Sequence, residues 1–149
     1  HSGLPAGLLD LELTESILVT NPEETIATLD RLKTSGTSVS IDDFGTGYSS
    51  LSYLTRFPLD NLKIDRAFVT NLPNNKDAAA IVRAIISMAQ NLDLKIIAEG
   101  IETDSQVTFL HALGCQIGQG YLFSKPVSAP DFVRLLTGNR KVFLAAERA

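Results

Sequence analysis

The chain repeats one local grammar: a short apolar run, a carboxylate at or just past its end, a loop, and a helix with a recognisable start. Leu8–Leu13 reads as a strand with Glu12 near its end. Asn21-Pro22-Glu23-Glu24 then reads as a helix start, because Asn can cap, Pro suits the first helical position and Glu24 stands three after the cap. Ile26, Leu29 and Leu32 share one face of that helix, and Gly36 stops it. Val39–Asp42 is the next strand, running into a glycine loop, Asp43–Tyr48, and a short helix around Leu51–Leu54. Leu62–Asp65 is the third strand. A long helix from about Asp77 to Asn91 follows, with Ile81, Val82, Ile85, Ile86, Ala89 and Leu92 recurring at helical spacing. Lys95–Glu99 is the fourth strand. Thr103-Asp104-Ser105-Gln106 is a capping box for a helix that ends at Gly114. Gln116–Phe123 holds a fifth strand, and Ser128 caps a last helix that stops near Gly138.

Repeated strand–helix units predict an α/β fold with parallel strands, because each return crossing needs a helix. The strands read as apolar with little alternation, which predicts a sheet covered by helices. An open doubly wound sheet and part of a (β/α)8 barrel both fit. Glu12, Asp42, Asp65, Glu99 and Gln119 favour the barrel. They lie at strand C-terminal ends about one strand–helix unit apart. In a barrel those ends converge on one mouth, whereas an open sheet spreads them along a line.

Composition narrows the chemistry. Cys115 is the one cysteine and His1 and His111 are the two histidines, so an internal disulfide framework and Cys- or His-rich zinc sites are excluded. A net charge of −4 argues against a DNA or RNA polymer, or an anionic membrane, as the main partner. No apolar run approaches the roughly 20 residues of a spanning helix, and no leader is present, so the expected setting is cytoplasmic. The 149 residues read as one domain, with 1–3 a cloning or cleavage remnant and 137–149 a tail.

Each polar residue admits a structural and a chemical reading. Glu12 is an ion-pair partner at the rim or a metal ligand. Asp42-Asp43 places two repelling carboxylates side by side, which a cation would relieve; the alternative is a turn or helix cap before Gly45 and Gly47. Lys63 and Asp65, two apart on a strand, share a face as a salt bridge or as a cation and an anion at the mouth. Glu99 ends an apolar strand and calls for a cation, while Glu102 sits near a helix start. The sum is a carboxylate-rich, histidine-poor mouth with one lysine, suited to Mg²⁺ or Mn²⁺ rather than Zn²⁺. Two-ion phosphodiester hydrolysis and enolate stabilisation both remain open on this ground.

Five motifs follow in order: Glu12-Leu13-Thr14-Glu15, Asp42-Asp43-Phe44-Gly45-Thr46-Gly47, Lys63-Ile64-Asp65-Arg66, Ala98-Glu99-Gly100-Ile101-Glu102, and Gln119-Gly120-Tyr121-Leu122-Phe123-Ser124-Lys125-Pro126. From about Leu4 to Leu136 the chain resembles the EAL-domain family of bacterial phosphodiesterases, which open cyclic di-GMP to linear pGpG. The resemblance implies metal-ligand roles for Glu12, Asp42 and Asp43, and a place in the metal-site network for Asp65. It implies a lysine beside the attacking water and scissile phosphate at Lys63, a metal-binding or general-base glutamate at Glu99, and a water-orienting glutamine at Gln119. Glu15 matches the glutamate that anchors the loop after Asp42-Asp43, and Glu102 has a supporting role. The family's Glu-Ala-Leu motif and the next strand, whose Asn is a metal ligand, are absent from this sequence. A full barrel takes roughly 250 residues. The expectation is therefore a partial (β/α)8 barrel of about five strands that uses Mg²⁺ or Mn²⁺, has impaired turnover and self-associates through its open edge. A non-catalytic cyclic di-GMP receptor and a protein-interaction or dimerisation module are the alternatives.

Overall fold

Five strands pair in chain order into one parallel sheet: β1 (Asp10–Thr14), β2 (Ser38–Phe44), β3 (Asn61–Ile64), β4 (Lys95–Ala98) and β5 (Ile117–Gly118). The computed structural model describes residues 3–45 and 54–137. Its helices are α1 (Glu15–Thr20), α2 (Pro22–Lys33), α3 (Arg66–Val69), α4 (Lys76–Asn91), α5 (Asp104–Ala112) and α6 (Ala129–Thr137). A doubly wound sheet reverses its strand order at a switch point, and this sheet does not. Unreversed order with helical crossovers is that of consecutive strands in a (β/α)8 barrel.

The sheet has two unlike faces. Val39, Ile41, Leu62, Ile64, Ile96 and Ala98 are buried in one cluster with Leu29 of α2 and Val82, Ile85, Ile86 and Ala89 of α4. The intervening residues Ser38, Ser40, Asp42, Asn61 and Lys63 are polar. The expectation of little alternation is therefore corrected: Val-Ser-Ile-Asp and Asn-Leu-Lys-Ile alternate, and among the described residues α2 and α4 cover the apolar face. The polar face is knitted together. Ser40 Oγ donates to Asp10 Oδ2 at 2.5 Å, and Asn61 Nδ2 donates to Ser40 Oγ at 2.8 Å.

Several boundaries move for local reasons. Ala6–Leu8 forms a 3₁₀ turn, so β1 begins at Asp10. β3 stops at Ile64 because Asp65 caps α3, its Oδ1 accepting from the Ala67 N–H at 2.8 Å. β5 is two residues long; past it, the Leu122 N–H turns back to the Ile101 carbonyl. Asn21 makes no side-chain cap bond and instead donates to Glu24 Oε2 at 2.6 Å. The capping box of Thr103 and Gln106 is present, and Ser128 Oγ accepts from the Asp131 N–H. The later part of the glycine loop, most of the short helix near Leu51–Leu54 and the tail beyond Thr137 lie outside the described residues. No helix among the described residues is long and apolar enough to cross a membrane.

At the strand N-terminal ends, Asp60 ties three elements together. Its Oδ1 accepts from Lys33 of α2 and its Oδ2 from the Val39 N–H at 2.8 Å, while its carbonyl accepts from the Lys95 N–H. Burial raises the Asp60 pKa, but the Lys33 and Val39 bonds and the charges of Lys33 and Lys95 outweigh it and hold the carboxyl below its ordinary value of 3.8. A depressed folded-state pKa contributes stability that is present above the unfolded value and lost as pH falls through the folded one. Asp60→Asn should therefore cost about 1 kcal/mol at pH 7. It should also flatten the acid limb of the stability curve below about pH 4. Urea titrations from pH 7 down to 2.5 check this; parallel curves for the two proteins would contradict it.

Candidate active site

Lys63 lies on the polar face of β3, one residue before its end, and its ammonium is the hub of the site. Nζ stands 2.7 Å from Glu12 Oε1 of β1, 3.2 Å from Asp42 Oδ2 of β2 and 2.7 Å from Glu99 Oε1, just past β4. Gln119, just past β5, donates from Nε2 to the same Glu99 Oε1 at 2.8 Å. Of the set expected at one mouth, Glu12, Asp42, Glu99 and Gln119 thus gather around Lys63 at one end of the sheet, while Asp65 caps the helix after β3 and stands outside these contacts. The Lys63 side chain is 5% exposed, whereas Glu12 is 51% exposed. Burial of Lys63 pushes its pKa down, and the bonds it donates to Glu12, Glu99 and Asp42 more than reverse that, holding it well above 10.5. The group is therefore an ammonium throughout the neutral range and cannot act as a base.

Asp43 and Asp65 form a second pair beside this hub. Asp43 sits where the β2–β3 register shifts between Ile41 and Phe44, with a left-handed φ of 55°. Asp tolerates that conformation better than most residues. The charge of Asp42 is the main cause that raises the Asp43 pKa, followed by burial and by the charge and side-chain bond of Asp65; Lys63 opposes them. Glu15, at the start of α1, is buried, and its Oε2 accepts from the Gly45 N–H at 3.1 Å. Gly45 has a φ of 93°, and a Cβ there would stand 3.2 Å from the Phe68 ring, so glycine is required. Glu102 does not join the hub. It accepts from Arg66 Nη2 at 2.9 Å across the mouth.

A cavity of about 510 Å³ opens beside Glu99 and Gln119, bounded by Arg66, Glu102, Tyr121 and Phe132. Lys125 Nζ lies 5.7 Å from the Tyr121 ring centre, close enough for a cation–π contact. Sequence reasoning missed Arg66 and Tyr121 as lining residues. The available signal was Gly100 between Glu99 and Glu102: its φ is +68° and a Cβ would meet Arg66 Cγ at 2.3 Å, so this backbone exists to let Arg66 cross it.

Among the described residues, no group of three or more His, Cys, Asp and Glu side chains stands in metal-holding geometry. The donor chemistry nevertheless suits a hard divalent cation. The acidic set is all oxygen, and the charges of Asp42 and Asp65 oppose the ionisation of Asp43, which a cation would relieve.

Residues 1–126 match the family described as EAL domain. The cyclic di-GMP phosphodiesterase NbdA of Pseudomonas aeruginosa is 53% identical over 127 residues, which are 85% of this chain and 16% of that protein. Among solved structures, the PaMucR phosphodiesterase in complex with c-di-GMP superposes with a TM-score of 0.82 at 46% identity, covering 87% of this chain and 52% of that one. BlrP1 of Klebsiella pneumoniae, solved as a manganese/cy-diGMP complex, gives a TM-score of 0.76 at 35% identity over 83% of this chain and 32% of that one. The chain thus spans less than a fifth of NbdA and about half of the PaMucR chain.

Removing the ammonium would leave Glu12, Asp42 and Glu99 facing one another without a counter-charge. Lys63→Met should cost roughly 2–3 kcal/mol, below the usual range for a broken buried pair because the carboxylates are partly solvated. Half-molar salt should shrink the deficit by screening their repulsion. Urea denaturation at two salt concentrations measures both effects, and a loss under about 0.5 kcal/mol would contradict the hub.

Proposed function

The chain belongs to the EAL-domain family, and on that premise we propose that its strand ends form one half of a site that hydrolyses cyclic di-GMP to linear pGpG, a cytoplasmic second-messenger nucleotide reaction. The observation that carries this reading is the Lys63 ammonium bonded to Glu99, with Gln119 on the same carboxylate oxygen. A water attacks phosphorus, the bond from phosphorus to the 3′ oxygen breaks, and that oxygen takes up a proton from solvent water as it leaves. We assign Glu99 to receive the water's proton and Gln119 to orient the water. Lys63, fixed in its charged state, faces the negative charge that grows on the phosphoryl oxygens.

Glu12, Asp42, Asp43 and Asp65 are the residues that would hold Mg²⁺ or Mn²⁺, two ions in the intact domain. When bound, the metal polarises the phosphoryl group and lowers the pKa of water. Glu15 holds the Gly45 end of the loop that follows Asp42-Asp43, and Glu102 steadies Arg66 at the cavity rim.

We further propose that this chain in isolation pairs with a second copy. β1 and β5 each have one neighbour in the sheet. Leu8, Leu9 and Ile17 near β1, and Ile117, Phe132 and Leu136 at or after β5, are exposed apolar side chains. Unpaired edges flanked by apolar surface favour association. Sedimentation at micromolar concentration should show a dimer, and a well-behaved monomer would contradict this.

The catalytic reading is tested on the protein that carries the whole domain, with cyclic di-GMP and Mg²⁺ or Mn²⁺. Turnover should require the metal. Lys63→Gln should lower kcat by about 10²-fold or more, with a much smaller change in substrate affinity, because its charge acts on the transition state. Metal-independent turnover, or lost affinity with kcat preserved, would contradict the assignment.

A further inference from the structure

Gln106 is a fully bonded polar side chain in the apolar layer outside the site. It lies in the first turn of α5 and is 3% exposed. Its Nε2 donates to the carbonyls of Val69 at 3.1 Å and Thr70 at 3.2 Å, at the C-terminal end of α3. Its Oε1 accepts from the N–H groups of Glu102 at 2.8 Å and Thr103 at 2.9 Å, in the loop after β4. An amide has two donors and two acceptor positions, and here all four are used. The capping box needs only the Thr103 bond. The Glu102 bond extends that local contact, and the two bonds to Val69 and Thr70 reach a separate segment.

Each of those segments carries residues of the site. Lys63, Asp65 and Arg66 precede the α3 carbonyls in one, and Glu99, Gly100 and Glu102 precede α5 in the other. The Arg66 side chain crosses Gly100 and reaches Glu102, but that ion pair is exposed and weak by itself. The β3–β4 ladder and the Glu99 N–H bond to the Ile64 carbonyl hold the two strand ends together, and beyond them the Gln106 amide bonds the start of α5 to the end of α3.

We propose that Gln106 is a positioning residue for the site: its amide clamps the end of α3 to the β4–α5 loop and, together with the β3–β4 ladder, fixes the Lys63–Glu99 contact and the width of the adjoining cavity. The inference rests on the hydrolytic reading for its kinetic consequence, and on geometry alone for the clamp. Gln106→Leu removes both arms of the clamp. Gln106→Glu keeps an oxygen for the Glu102 and Thr103 N–H groups but turns an acceptor toward the Val69 and Thr70 carbonyls, so it breaks one arm only. Asp60→Asn, at the opposite strand ends, is the control for a loss of stability without a loss of positioning.

Two measurements decide the matter. In steady-state hydrolysis of cyclic di-GMP by the protein carrying the whole domain, corrected for folded fraction, Gln106→Leu and Gln106→Glu should lower kcat about tenfold or more, with KM changed less than about threefold and Asp60→Asn within about twofold of wild type. In amide hydrogen exchange on the same proteins, Glu102 and Thr103 should exchange about tenfold faster in Gln106→Leu and near the wild-type rate in Gln106→Glu. A wild-type kcat in folded Gln106→Leu, or an equal loss in Asp60→Asn, would overturn the positioning role. Unchanged exchange at Glu102 and Thr103 in Gln106→Leu would overturn the clamp itself. Wild-type protein with no hydrolysis would overturn the catalytic reading instead, and the exchange measurement would still decide the clamp.

Discussion

One buried ammonium organises this molecule. Lys63 gives up its water on entering the sheet's polar face, a cost that no apolar neighbour could offset. Carboxylates from β1, β2 and the end of β4 offset it, with Nζ–O distances of 2.7, 3.2 and 2.7 Å. The dependence runs both ways. Without Lys63 the three acids repel; without the acids Lys63 would be driven toward neutrality. The cluster therefore aligns four strands by charge as well as by backbone bonding, and it does so at the end where a barrel places its chemistry.

The sheet makes that cluster possible by being two-faced. Helices α2 and α4 cover Val39, Ile41, Leu62 and Ile64, which carry the hydrophobic stabilisation. The opposite face is then free to carry Asp10, Ser40 and Asn61 in one hydrogen-bonded layer, and Glu12, Asp42 and Lys63 in the next toward the mouth. Strand alternation converts a binary pattern in the sequence into stability on one side and chemistry on the other. The close approaches follow the same logic. Gly45 and Gly100 remove a Cβ where Phe68 and Arg66 must lie over the backbone.

Much of this was legible in the residues. The strand–helix grammar located all five strands, and the Thr103–Gln106 box and the Ser128 cap are local signals that the structure keeps. Glu12, Asp42, Asp65, Glu99 and Gln119 could be placed at one mouth because strand ends converge in a barrel, and Lys63 beside Asp65 because residues two apart on a strand share a face. What was illegible depended on contacts between segments distant in sequence. The pairing of Arg66 with Glu102 across Gly100 gives no periodic signal. Helices α1 and α3 are too short for a hydrophobic stripe, so Asp65 read as strand although its carboxylate caps α3. The two-residue β5 read as longer because Tyr121, Leu122 and Phe123 are apolar, yet they belong to the turn that follows. Gln106 read as half of a capping box, which is true and incomplete. Its second pair of bonds reaches residues more than thirty positions away.

The claim that Lys63 is a desolvated, fully bonded ammonium can be observed directly. Lysine-selective ¹H–¹⁵N correlation of side-chain NH₃⁺ groups at neutral pH reports which ammoniums are shielded from solvent exchange. The account predicts a slowly exchanging ammonium signal that disappears in Lys63→Met and that responds to Glu99→Gln and to Glu12→Gln. A Lys63 ammonium exchanging as fast as those of surface lysines would contradict it.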